Sequence, residues 1–182
     1  MTEEALKYYN IRIDHAHNRI VYPVLDSNNQ LIGVKGRTRI AAYKEMGINK
    51  YSNYYKIGTI DYFQGYQQAE FKNNTIVIFE GIKSCIKAYG WGYKNTVSSE
   101  TSALTEGQIH VLLKGGFSEV IIAWDKDQSF SHIVNNSKIQ TLKRFTNVSI
   151  INDTKGLLND KMAPVDKGRE IYETLLKTRR VL

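Results

Sequence analysis

The stretch SEVIIAWDKD, Ser118–Asp127, decides the fold. Val120–Trp124 is an unbroken apolar run with a β-branched centre, as expected of a strand covered on both faces in a parallel sheet. Asp125 and Asp127 follow at once. Neither carboxylate can belong to the apolar filling, so both emerge at the rim of the sheet. Upstream, TIVIFEG (Thr75–Gly81) repeats the arrangement, an apolar run closed by Glu80 and Gly81.

Working outward from these two strands, helix and strand alternate. Ile82–Tyr89 reads as a helix closed by Gly90, Asn95–Ser99 as a weak strand, and Thr105–Lys114 as a helix closed by Gly115 and Gly116. Ser129–Phe145 is predicted as one helix, Asn147–Asp153 as a strand and Lys167–Arg180 as a terminal helix. Such alternation predicts an α/β domain whose parallel sheet is built from right-handed crossovers.

The N-terminal third has a different rhythm. RIVYPVLD (Arg19–Asp26) and LIGVKGR (Leu31–Arg37) are strands on either side of the polar turn SNNQ, which predicts a hairpin. RIAAYKEMG (Arg39–Gly47) has helix formers and ends on glycine, and 48–70 reads as a connector with little regular structure. The expected organisation is a small basic mixed α/β subdomain over 1–70, the parallel-sheet domain over 71–153, and an acidic loop with a helix over 154–182.

Composition bounds the function classes. The 182 residues carry 25 Lys and Arg against 18 Asp and Glu, a formal charge of +7, which favours polyanionic partners. A hydrophobic share of 42% and twelve tyrosines argue for a packed chain rather than a disordered one. Cys85 is the only cysteine, which excludes an intrachain disulfide and a Cys-rich zinc site. His15, His17, His110 and His132 show no metal-ligand spacing. No charged-then-apolar leader and no long apolar run is present, so a cytoplasmic location without membrane attachment is the expectation.

In a parallel sheet, ligands gather at the carboxyl ends of the strands. Glu80, Asp125 and Asp127 fall at such ends. Carboxylates converging on one rim repel each other unless a cation sits among them, and oxygen-only donors suit Mg²⁺ or Mn²⁺. A plainer alternative makes Asp125 and Asp127 caps of the helix near Ser129, with Glu80 at a strand end by chance. Lys35, Arg37 and Arg39, alternating about Gly36, can face one groove and grip phosphates, or simply solvate an edge strand.

Together these residues resemble the catalytic core of bacterial-type, DnaG-like DNA primases, particularly phage-type versions. RIVYPVLDSNNQLIGVKGR (Arg19–Arg37) is similar to the signature of that family's basic subdomain, with Asn29 where a turn glycine is usual. YFQGY (Tyr62–Tyr66) looks like the short tyrosine-containing element that precedes the catalytic domain. IVIFEGIKS, the YGWGYKNTVSSETSALTEGQIHVLL stretch and VIIAWDKD follow the order of a TOPRIM domain, and NDKMAPVDKGREIYETLL resembles the acidic loop and last helix. Departures are Ser84 where the family carries an acid, SSETS in place of a glycine-containing turn, Phe130 near the position of a glycine, and Met162 in the tail loop.

The resemblance implies a TOPRIM-type parallel sheet flanked by helices. It also implies synthesis of RNA primers from ribonucleoside triphosphates on a single-stranded DNA template during replication. Glu80, Asp125 and Asp127 would bind Mg²⁺ or Mn²⁺, with Glu80 also catalytic and Asp160 an auxiliary acid. Arg19, Lys35, Arg37 and Arg39 would hold nucleic-acid or nucleotide phosphates. A replicative helicase or a separate zinc-binding subunit are the implied partners, and the host cytoplasm the location of a phage-encoded chain. The alternatives are a TOPRIM nuclease using the same acids, or a primase-like module that binds without turnover.

Overall fold

A computed structural model of the protein describes residues 1–55 and 57–182; Lys56, one of the N-terminal basic residues, lies outside them. The helix α1 (Glu3–Tyr8) opens the chain, with the Thr2 hydroxyl accepting from the Ala5 amide at 3.2 Å. Four antiparallel strands follow in spatial order β1 (Arg12–Asp14), β2 (Arg19–Leu25), β3 (Leu31–Thr38) and β4 (Tyr51–Asn53). The predicted hairpin is β2 and β3. Its turn places Asn29 at φ 65°, a left-handed conformation that asparagine tolerates better than most residues.

Two expectations for this region fail. Residues 41–47 form successive turns and no helix. Tyr43 is partly buried, while Lys44, Glu45 and Met46 are exposed, so no apolar face is packed to hold so short a helix. The 48–70 connector is also more regular than expected: it supplies β4, which pairs Tyr51 with Arg37 and Asn53 with Lys35, and a short 3₁₀ turn at Tyr66–Gln68.

The second sheet has five strands in the order β6-β5-β7-β8-β9, with β5 (Thr75–Phe79), β6 (Thr96–Ser98), β7 (Glu119–Ala123), β8 (Asn147–Ile150) and β9 (Arg180–Val181). The first four are parallel, as predicted. The last is antiparallel to β8, because the chain turns back after the terminal helix. Ile76, Ile78, Val120 and Ile122 point to one apolar cluster and Val77, Phe79, Ile121 and Ala123 to another, the alternation of a sheet covered on both faces. The helices α2 (Ile82–Tyr89) and α3 (Glu106–Gly115) end at Gly90 and Gly116 as expected.

The single helix predicted over 129–145 is two, α4 (Phe130–Val134) and α5 (Ser137–Leu142). Asn136 interrupts it, its side chain accepting from the Lys138 amide at 3.0 Å and so starting a new helix. The last helix, α6 (Arg169–Lys177), buries Tyr172 and Leu175 in the core of the second sheet.

Candidate active site

Parallel pairing sets the site. Phe79 pairs with Ser98 on one side and Ala123 on the other, so Glu80, Ser99 and Trp124 leave three neighbouring strands at one level. Glu80 and Asp125 are partly buried and Asp127 is exposed. Burial, and after it the charge of Asp127, lifts the Glu80 carboxyl above the usual range. Asp125 is pushed up to about 7 by burial and then by the charges of Glu80, Asp166 and Asp127. The three predicted acids therefore share one rim and repel one another there.

Helix capping does not explain them. The Ser129 hydroxyl caps α4, accepting from the His132 amide at 3.2 Å. Among the described residues, Asp127 accepts only a long contact from the Gln128 side-chain Nε2 at 3.4 Å and none from a backbone amide. Among the described residues no three Asp, Glu, His or Cys side chains close into a finished metal cage. An open set of oxygen donors, two of them half-buried beside other carboxylates, fits a hard divalent ion that keeps positions for water and phosphate.

The tail completes the rim differently from expectation. Asp160 is exposed, and the acid whose charge reaches Asp125 is Asp166, held by an ion pair with Lys87 and by the Ala163 amide at 3.1 Å. Lys126, between the two aspartates, turns away to Asp153 at 2.7 Å and to the Leu158 carbonyl at 3.0 Å. Burial opposes ionisation of Asp153, but Lys126 and the Leu158 and Leu157 amides prevail and hold it at about 2. These bonds dock the 153–163 loop beside the Asp125–Asp127 turn.

The basic residues divide between two faces of the first sheet. Lys35 and Arg37 share one face of β3. Arg19 lies on the other: a Cβ built on Gly36 would stand 3.1 Å from Arg19 Cδ, and the guanidinium donates to the Gly36 and Asn49 carbonyls, each at 3.2 Å. Arg39 lies beyond β3 and is exposed. Lys35 forms an ion pair with Glu100. Sequence reasoning did not single out Lys50, which precedes β4, stands 5.5 Å over the Tyr51 ring and is the cation that pulls Asp125 back toward ionisation. Its only signal in the sequence was membership of the N-terminal basic set.

A cavity of about 450 Å³ lies at the opposite end of the second sheet. Its charged walls are internally paired, Lys94 and Lys72 with Glu70 at 2.8 and 3.2 Å and Arg179 with Glu119 at 2.8 Å, which among the described residues leaves no unpaired charge lining it. A smaller cavity of about 150 Å³ opens beside Asp125, bounded by Trp124, Phe130 and Leu158.

No protein-family model matches the chain. A DNA primase of Clostridium acetobutylicum is 32% identical over 114 residues, 63% of this chain and 19% of the primase. The SPbeta prophage-derived uncharacterized protein YorJ of Bacillus subtilis is 30% identical over 185 residues, 87% of this chain and 48% of that protein. The chain thus spans at most about half the length of these curated relatives. Among solved structures, a DnaG catalytic core superposes with a TM-score of 0.70 at 16% identity, over 100% of this chain and 70% of that one. A DnaG primase catalytic domain bound to single-stranded DNA gives 0.63 at 17% identity, over 98% and 61%. With a four-stranded basic sheet set before a parallel sheet rimmed by acids, and with primases among its sequence relatives, the chain belongs with the catalytic cores of bacterial-type, DnaG-like DNA primases.

Proposed function

We propose that the chain is a nucleotidyltransferase that synthesises short RNA primers from ribonucleoside triphosphates on single-stranded DNA in replication. The observation that carries this reading is the crowding of Glu80, Asp125 and Asp127 at the ends of adjacent parallel strands, with Lys50 alongside. The single-stranded DNA held by a solved DnaG catalytic domain of the same fold supports the choice of template. The proposed organisation is a basic subdomain over 1–70, a TOPRIM domain over 71–153 and a C-terminal loop and helix over 154–182. A replicative helicase or a separate zinc-binding subunit is the proposed partner, and the cytoplasm, that of the host if the gene is phage-borne, the proposed location.

Glu80, Asp125 and Asp127 would hold Mg²⁺ or Mn²⁺, which when bound neutralises triphosphate charge and orients the phosphoryl oxygens for in-line displacement. Glu80 carries a raised pKa and so can take a proton as the attacking hydroxyl loses it. Arg37, Arg39 and Lys50 supply positive charge for phosphates. Arg19 supports them from the back face by tying β3 to the Asn49 carbonyl. Incubation with single-stranded DNA, labelled ribonucleotides and Mg²⁺ or Mn²⁺ tests the reading. New short RNA is expected; shortened DNA would make the protein a nuclease, and neither product would leave a binding module.

A further inference from the structure

The carboxyl end of β6 is wired to both acid-bearing strands. The Ser98 hydroxyl donates to the Glu80 carbonyl at 2.7 Å and accepts from the Glu100 amide at 3.1 Å. The Ser99 hydroxyl donates to the Thr101 carbonyl at 2.6 Å and accepts from the indole N–H of Trp124 at 3.1 Å, immediately before Asp125. Glu100 comes next, at φ 66°. A glutamate adopts this left-handed backbone when its surroundings over-determine it.

Those surroundings belong to the other sheet and the connector. The Glu100 carboxylate is ion-paired with Lys35 of β3 and accepts from the Tyr62 hydroxyl at 2.8 Å. The pair is well covered, with side-chain exposures of 15% for Lys35 and 8% for Glu100. Buried pairs of this kind add little net stability, while removal of one partner strands the other charge. What this pair supplies is placement.

We propose that Glu100 is a positioning residue: it grips Lys35 and Tyr62 on one side, is pinned through Ser98 and Ser99 to the exits of β5 and β7 on the other, and so sets the gap between basic sheet and acid rim. The proposal rests on the primer-synthesis reading. Lys35 then serves the seam rather than phosphate, and Arg37, Arg39 and Lys50 are left to meet the nucleic acid.

Lys35→Met, Glu100→Gln and the double variant separate these roles, with hydrogen exchange at the Ser99 and Glu100 amides read beside kinetics. Each single variant should lose protection there and lose roughly 10- to 100-fold in kcat, as misplacement of reacting groups does. Template Kd and its salt slope should stay within about twofold, since no phosphate contact is lost. The neutral pair should recover both protection and most of kcat. A double variant as impaired as Lys35→Met, with weaker template binding and a salt slope reduced by about one, would make Lys35 a direct phosphate ligand and overturn the proposal. Unchanged exchange in the single variants would overturn it as well, whatever the activity. A parent that makes no RNA would count against the primase reading, and the exchange data would still decide whether the seam exists.

Discussion

Asp125 concentrates the electrostatic tension of the molecule. An unfolded aspartate ionises near 3.8, and burial among Glu80, Asp166 and Asp127 defers this to about 7 in the folded protein. Between those values the folded state holds the extra proton, so metal-free stability falls as pH rises through the window. Asp125→Asn removes that dependence. Its melting temperature should equal or exceed the parent's at pH 7.5, with a smaller advantage at pH 5, and it should lose most of the stabilisation that Mn²⁺ confers on the parent. Melts at both pH values, with and without Mn²⁺, check this; a variant with the parent's pH profile and metal shift would remove Asp125 from the site. Asp153 has the opposite sign. Held at about 2 by Lys126 and backbone amides, it contributes stability that disappears as pH falls from about 4 toward 2. Asp153→Asn should therefore destabilise at pH 7 and matter little near pH 2, as denaturant titrations at the two pH values would show.

Elements were legible wherever burial forces a periodicity. Val120–Trp124 and Thr75–Phe79 are covered on both faces, so each is written as an unbroken apolar run, and the acids after them could be placed on the rim from sequence alone. The strand β4 escaped because its three residues, one tyrosine and two small polar side chains, carry no apolar pattern; it is defined by pairing with β3. The break at Asn136 escaped because an asparagine inside a helical pattern is informative only once its carboxamide is seen to cap α5. Glu100 and Lys35 lie 65 positions apart, and no local spacing could have joined them. Contact between the connector and α3 shows the same dependence on tertiary approach. The Thr105 hydroxyl donates to the Ile60 carbonyl at 2.5 Å, and Gln108 Nε2 to the Tyr62 carbonyl at 2.9 Å. A Cβ on Gly107 would stand 2.7 Å from Asp61 Cα. Gly107→Ala should cost about 1–3 kcal/mol by overpacking, roughly 3–10 °C in melting temperature. Gly58→Ala, whose added methyl meets nothing within 4 Å among the described residues, is the control. Equal melting temperatures for the two would show that the connector yields.

Across the whole molecule, a formal charge of +7 coexists with an acidic rim, so attraction to a polyanion depends on where the cations stand. Arg37 pairs across strands with Tyr51, whose ring carries the Lys50 ammonium, which places two cations on one border of the first sheet. Arg37→Ala with Lys50→Ala should weaken single-stranded DNA binding and lower its salt slope by about two, measured by titration at several salt concentrations. An unchanged slope would move the template path elsewhere. At the other extreme of the chain, Arg180 and Val181 pair with Ile150 and Ser149, and the Leu182 amide donates to the Val148 carbonyl at 2.9 Å. At the opposite border of that sheet, Gln64 bridges Ser98. A parallel sheet with bare borders offers its amides and carbonyls to any neighbouring chain and invites fibrous assembly. Deleting Arg180–Leu182 should leave the acids in place yet turn β8 into an adhesive edge, seen as light scattering that grows with protein concentration. By lying along β8, Arg180–Leu182 shield that edge of the sheet from a neighbouring copy and so from self-polymerisation.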